Sequence, residues 1–246
     1  SRDWSSDVCS SDLAMQGFDS EDHACVDRPV EPTLSALGKG TDGLRIALAG
    51  GYFRKQLHGE AKEAISIVAK ALTVSREVEI PEAQRARSAA YVITTTEGAA
   101  LHLDRLRKKA KDFDPAVRDR LIAGAMVPAS LVVQAQKFRR WYREQVLEIF
   151  RDVDVIIAPA TPCVAPKLGQ QTFKLDGVEL PVRANIGVHT QPISFIGLPV
   201  VAVPVPLKPM PIGVQIIAAP WREDVALRVA YALEQAGAAV APRPKF

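Results

Sequence analysis

An α/β fold, with a mixed β-sheet flanked by helices, is predicted by three observations on this chain. Residues 153–158, VDVIIA, form a short continuous apolar run of the kind found in strands covered on both faces. Residues 43–49, 60–72 and 78–80 read as strand, amphipathic helix and strand, which is a β-α-β step with parallel strands. Residues 200–204 and 212–218 are two further β-branched runs, separated by a Pro-rich turn and followed by a helix. Composition agrees, since 48% hydrophobic and 24% charged among 246 residues is an ordinary globular balance that excludes disorder throughout.

Taken in order, the first thirteen residues, SRDWSSDVCSSDL, fit neither a helical nor a strand period. Residues 1–13 therefore read as a non-native or disordered segment, with residues 14–246 forming part of a single domain. Gly17 is placed to cap a helix end, and Pro29 and Pro32 keep the next stretch extended. The strand at 43–49 stops at Gly50 and Gly51, which lack the rest of a phosphate-loop frame and read as a turn. The helix at 60–72 puts Ala61, Ala64, Ile65, Val68 and Leu72 on one stripe. Residues 84–106 read as mainly helical, with Gly98 a point of interruption.

Asp114 before Pro115 is a capping side chain followed by proline at the first helical position, and this helix runs to Gly124. Pro128 opens a longer helix to Phe150, with Leu131, Ala135, Phe138, Tyr142, Val146 and Ile149 as its apolar stripe. Its Lys137, Arg139, Arg140 and Arg143 read as surface charges on buried stems. Residues 168–183 form a hairpin or excursion loop centred on Asp176-Gly177. The last helix carries Glu223 and Asp224 at its N-terminus, and Gly237 caps its end.

Several function classes are disfavoured. The net charge is only +3 and the one dense basic cluster, residues 105–111, reads as a solvated helix face, so no nucleic-acid partner is expected. The longest apolar stretch, residues 192–206, is broken by prolines and too short to span a bilayer, so no membrane partner is expected. Cys9, Cys25 and Cys163 are odd in number and widely spaced, which fits a reducing cytoplasm better than a disulfide framework. No metal-binding spacing occurs; His102 and Asp104 read as helix surface, and Asp152 and Asp154 as a solvated turn. Cys163 with His189 is the obvious nucleophile and base pair, but sequence separation does not show that the two meet.

Three stretches are more specific: residues 153–162, PVVAVPV, and PIGVQIIAAPWRED. On these, residues 14–237 resemble the C-terminal part of the amidase signature family. FRRWYRE, APATPC and TQPISFIGLPVVAVPV look most like its biuret and carboxybiuret hydrolase branch, with the glutamyl-tRNA amidotransferase catalytic chain of the same family more distant. The resemblance implies the C-terminal part of the amidase signature fold, incomplete as it stands. It also implies hydrolysis of a carbon–nitrogen amide bond by a Ser, cis-Ser, Lys relay, with no metal or organic cofactor.

No position here matches that relay. The nearest approach, Ser5, Ser6, Ser10 and Ser11, is interleaved with aspartates and lacks glycine. No catalytic residue is assigned, and the chain alone is expected to be inactive, since losing the nucleophile of such a unit costs about a millionfold in turnover. The resemblance implies a small urea-like or carboxylated amide as substrate. Thr161, following its strand, and His189 and Gln191, preceding a PISF strand, are the expected substrate-binding residues. It further implies a small helical accessory subunit or a homo-oligomer as partner. Two other readings stay open: a noncatalytic binding or complementing half-protein, and a subunit of a tRNA-dependent amidotransferase.

Overall fold

A computed structural model describes residues 11–241. In chain order the main elements are β1 (Ile46–Ala49), α1 (Gly59–Ala71), β2 (Glu77–Val78), α2 (Ala83–Lys109), α3 (Pro115–Ala125), α4 (Ala129–Ile149) and β3 (Val155–Pro159). They continue with β4 (Thr172–Leu175), β5 (Val178–Pro181), the one-turn α5 (Gln191–Ser194), β6 (Val200–Val205), β7 (Ile212–Ala218) and α6 (Glu223–Gln235). The described residues divide into two compact units: residues 11–79, 149–189 and 198–241 in one, and residues 80–148 and 190–197 in the other.

The first unit is built on a five-stranded sheet in the order β2-β1-β3-β7-β6. β1 runs parallel to β2 and β3, whereas β7 is antiparallel to both β3 and β6, so the sheet is mixed as expected. The parallel β1-α1-β2 step is present, though β2 stops at Val78, and Ile80, next to Pro81, lies outside it. Side chains alternate across the sheet. On one face Ile46, Leu48, Val155, Ile157, Val203, Val205, Val214 and Ile216 join Ala61, Ile65 and Val68 of α1 and Val225, Val229 and Leu233 of α6 in one buried cluster. β1 and β3 are buried at every position, which is why their sequences are continuous apolar runs rather than alternating ones.

The local signals explain the boundaries. Asp176 and Gly177 take φ of 48° and 80°, the two left-handed conformations that close a tight β4–β5 hairpin. After α6, the Ala238 N–H bonds to the Leu233 carbonyl and the Gly237 N–H to the Glu234 carbonyl, with Gly237 at φ 68°. That pair of bonds satisfies the last carbonyls of the helix. At the start of β3, Asp154 accepts from the Arg45 backbone N–H at 2.8 Å and from its guanidinium at 2.9 Å. The aspartate read as a solvated turn thus ties the beginning of β3 to β1.

The second unit is helical. α2 and α3 pack as neighbours, with Asp114 accepting from the Ala116 N–H at 2.9 Å as the N-terminal cap of α3. α2 is continuous for 27 residues through Gly98, so the expected interruption does not occur. A Cβ at Gly98 would meet only the tip of Leu121, whereas one at Gly124 would lie 2.2 Å from the Thr95 carbonyl oxygen. The glycine that matters is therefore the one that lets α3 touch the backbone of α2. In α4, Ala135, Tyr142 and Val146 are buried, but Leu131 is exposed and Phe138 only half-buried, so the stripe is covered at its C-terminal part.

Two further expectations are corrected. PISF is not a strand: Gln191–Ser194 form one helical turn with Pro192 in its first turn, where a missing N–H costs nothing. Residues 1–10 of the aperiodic N-terminal segment lie outside the described residues, and Ser11, Asp12 and Leu13 belong to a helical stretch at 11–15.

Candidate functional site

In open α/β sheets ligands gather beyond the carboxyl ends of the strands. In the sheet unit those ends, for the parallel pair β1 and β3, deliver Gly50-Gly51 and Pro159–Thr161. Thr161 is half-buried and donates its hydroxyl to the Cys163 carbonyl at 2.8 Å, which closes the turn locally and leaves its oxygen lone pairs for another donor. His189 is fully buried. Its Nε2 lies 3.1 Å from the Lys55 carbonyl, and its ring packs at 6.0 Å centroid distance from both Tyr52 and Phe53 in the segment after β1. Tyr52 in turn donates to the Val188 carbonyl at 3.0 Å.

Gln215 of β7 joins these two parts. Its Nε2 donates to the Pro159 carbonyl at 2.8 Å and to the His189 carbonyl at 3.2 Å. The structure therefore brings Thr161 and His189 onto two segments fastened to one buried side chain. Sequence reading passed over Gln215, although a single carboxamide inside GVQIIA is the sort of buried polar group that requires a reason.

Gln191 belongs to the helical unit. Its carboxamide oxygen accepts from Arg87 Nε at 2.8 Å. It also lines a cavity of about 290 Å³ with Tyr91, Glu97, Arg120, Arg139 and Ser194. Arg120 donates to the Thr94 hydroxyl at 3.0 Å and lies over the Tyr91 ring at 4.5 Å. Arg139 donates through Nε to the Phe195 carbonyl at 2.7 Å. Neither guanidinium is paired with a carboxylate among the described residues. Each is oriented by one hydrogen bond and keeps further N–H groups to offer, a geometry suited to a carboxylate. Arg139 is exposed, as a surface charge should be; what sequence reading could not supply is the Phe195 carbonyl that orients it, which comes from a distant part of the chain.

The cysteine alternative loses ground. Burial, and secondarily the charge of Glu60, push the Cys163 thiol up, so it is protonated at neutral pH. A nucleophilic thiol requires the opposite shift.

A family model described as Amidase matches residues 6–227. AtzE of Pseudomonas sp. (strain ADP), which belongs to a 1-carboxybiuret hydrolase, is 44% identical over 229 residues, covering 92% of this chain and 50% of its own length. The GatA-type chain of the glutamyl-tRNA(Gln) amidotransferase of Halothermothrix orenii is 29% identical over 262 residues, covering 94% of this chain and 54% of its own. A solved, inhibitor-bound "vestigial protein complex" tied to "the evolutionary origins of an s-triazine catabolic enzyme" superposes with a TM-score of 0.90 at 44% identity. It covers 92% of this chain and 50% of that one. The chain spans about half the length of the relatives it matches.

Proposed function

The chain belongs to the amidase family, and from that premise we propose that it supplies the C-terminal portion of a carbon–nitrogen hydrolase acting on a small, carboxylated, urea-like amide such as carboxybiuret. The observation that carries this reading is the cavity holding Arg120 and Arg139, two guanidinium groups without a carboxylate partner among the described residues, beside the Gln191 carboxamide. Guanidinium forks recognise a carboxylate in two-point fashion, while a carboxamide matches the donor and acceptor pattern of a urea. A relative that is part of a 1-carboxybiuret hydrolase supports the same substrate class.

In this reading Arg120, Arg139 and Gln191 are the substrate-binding residues of the helical unit, and Thr161 and His189 are candidates on the sheet unit, with His189 acting from a buried position. The chemistry belongs to a Ser, cis-Ser, Lys relay that no position of this chain matches, so the 246 residues alone are inactive. Beside the portion that bears the relay, a small helical accessory subunit or a second copy of the chain is the further partner in this reading. Cys25 and Cys163 are free thiols, which suits the cytoplasm. Among the described residues no single helix is long and apolar enough to cross a membrane.

The test is to assay the chain alone, and together with the relay-bearing half of a relative, on carboxybiuret, biuret and glutamine. Activity on carboxybiuret only in the complemented sample is expected. In that sample Arg139→Ala should raise KM for carboxybiuret by roughly 10- to 100-fold, as expected for removing one charge-assisted contact of about 1.5–3 kcal/mol, and leave biuret nearly unchanged. Equal losses on both substrates would sink the carboxylate assignment. Hydrolysis by the chain alone would sink the complementing role.

A further inference from the structure

β7 reads IGVQIIA, and its Gln215 is 3% exposed. An aliphatic residue of the same length would continue the strand without the cost of burying a carboxamide, so strand formation does not account for it. In register, Gln215 faces Ala158 across the β3–β7 pair. It lies on the sheet face opposite the cluster that meets α1 and α6, together with Ile156 and Ile217. Both of its side-chain hydrogen bonds leave the strand: one goes to the carbonyl that ends β3, 56 residues away, the other to the His189 carbonyl, 26 residues away.

Those acceptors are the entry to the turn that carries Thr161 and the end of the segment that carries His189. Other bonds tie each segment to the stretch after β1: the His58 N–H donates to the Pro162 carbonyl at 2.8 Å, and the His189 ring faces the Lys55 carbonyl. Gln215 links the two segments directly through one side chain.

We propose that Gln215 is a positioning residue whose carboxamide latches the turn after β3 to the His189 segment and so sets the spacing of the polar end of the sheet. Its effect on turnover rests on the amide-hydrolase reading above; the latch itself does not. Gln215→Met keeps the side-chain length and removes both donors. Gln215→Asn keeps the amide but cannot reach both carbonyls.

In the catalytically competent assembly, hydrogen exchange of residues 159–164 and 187–190 should accelerate together by roughly tenfold in Gln215→Met, with α6 unchanged, as the loss of a buried hydrogen bond of about 1–1.5 kcal/mol predicts. KM for the carboxylated amide should rise by a similar factor while the fraction of active sites, titrated with a covalent inhibitor, stays constant. Wild-type exchange in both segments would overturn the proposal. So would an unchanged KM with only a reduced active fraction, which is what general destabilisation produces. Should Gln215→Met fail to fold, Gln215→Asn is judged by the same two criteria. If the wild-type assembly hydrolyses no amide, the functional reading fails, and exchange alone decides the latch.

Discussion

The sheet unit and the helical unit are held together by opposite means. In the sheet unit the interior is filled by large aliphatic side chains, Ile157, Val214, Ile216, Val229 and Leu233 among them, contributed by strands and helices far apart in sequence. In the helical unit the buried positions of α2 are mainly alanines, Ala83, Ala86, Ala90 and Ala99, and α3 reaches the α2 backbone at Gly124. One interior is stabilised by apolar volume, the other by close approach. The first should tolerate small losses of shape and not of volume; the second should tolerate neither added atoms nor added width.

Five substitutions would break or sharpen this contrast. The largest effect is expected for Ile216→Ala, which empties the centre of the sheet core and should cost about 2–5 kcal/mol in urea unfolding. A loss below about 1 kcal/mol would mean the interior can collapse around the gap. Next is Gly124→Ala, where the new methyl group would overlap the Thr95 backbone, so the helices must separate at a cost of about 1–3 kcal/mol. Gly98→Ala is its control, because Leu121 can swing aside and the gain in helix propensity of about 1 kcal/mol offsets the adjustment. If both glycine variants lose equally, close approach at Gly124 is not what specifies the pair.

Asp114→Ala removes the cap of α3 and should cost about 1 kcal/mol, with faster amide exchange confined to the first turn of that helix. The smallest effect is expected at Asp154. Its carboxyl is held below the usual range, first by the hydrogen bond from the Arg45 side chain, against an opposing contribution from burial. A lowered folded pKa means that this contribution is fully present above the unfolded carboxylate value of about 3.9 and is lost as pH falls through the lower folded one. The Tm gap between wild type and Asp154→Asn should therefore be constant above about pH 5 and close on acidification. A gap that widened in acid would contradict that sign.

The same contrast marks how far the sequence could be read. β1, β3, β6, β7 and α1 were legible because covered strands and one-sided helices leave distinct hydrophobic patterns, and Asp114-Pro115, Asp176-Gly177 and Gly237 are local signals that act without tertiary help. PISF misled because four residues are too few to separate a strand from one helical turn. Gly98 misled because a glycine in a helix records a cost and not who is packed against it. For the candidate site, Thr161, His189 and Gln191 were expectations drawn from the family resemblance and stand as proposals. Gln215, Arg120 and Arg139 were not legible, since what distinguishes them is a partner from distant sequence: two carbonyls, a hydroxyl on a facing helix, the Phe195 carbonyl.

The β4–β5 hairpin stands outside the main sheet and would ordinarily be free to swing. It is moored instead at two points: Asp176 accepts from the Gln56 N–H at 2.7 Å, and the His58 ring meets the Lys174 carbonyl at 2.5 Å. His58 also donates its backbone N–H to the Pro162 carbonyl, so the same short segment holds both the hairpin and the turn that carries Thr161. With Phe173 and Leu175 buried as well, the hairpin, residues 56–58 and the turn after β3 form one bonded series, a strut rather than a free arm.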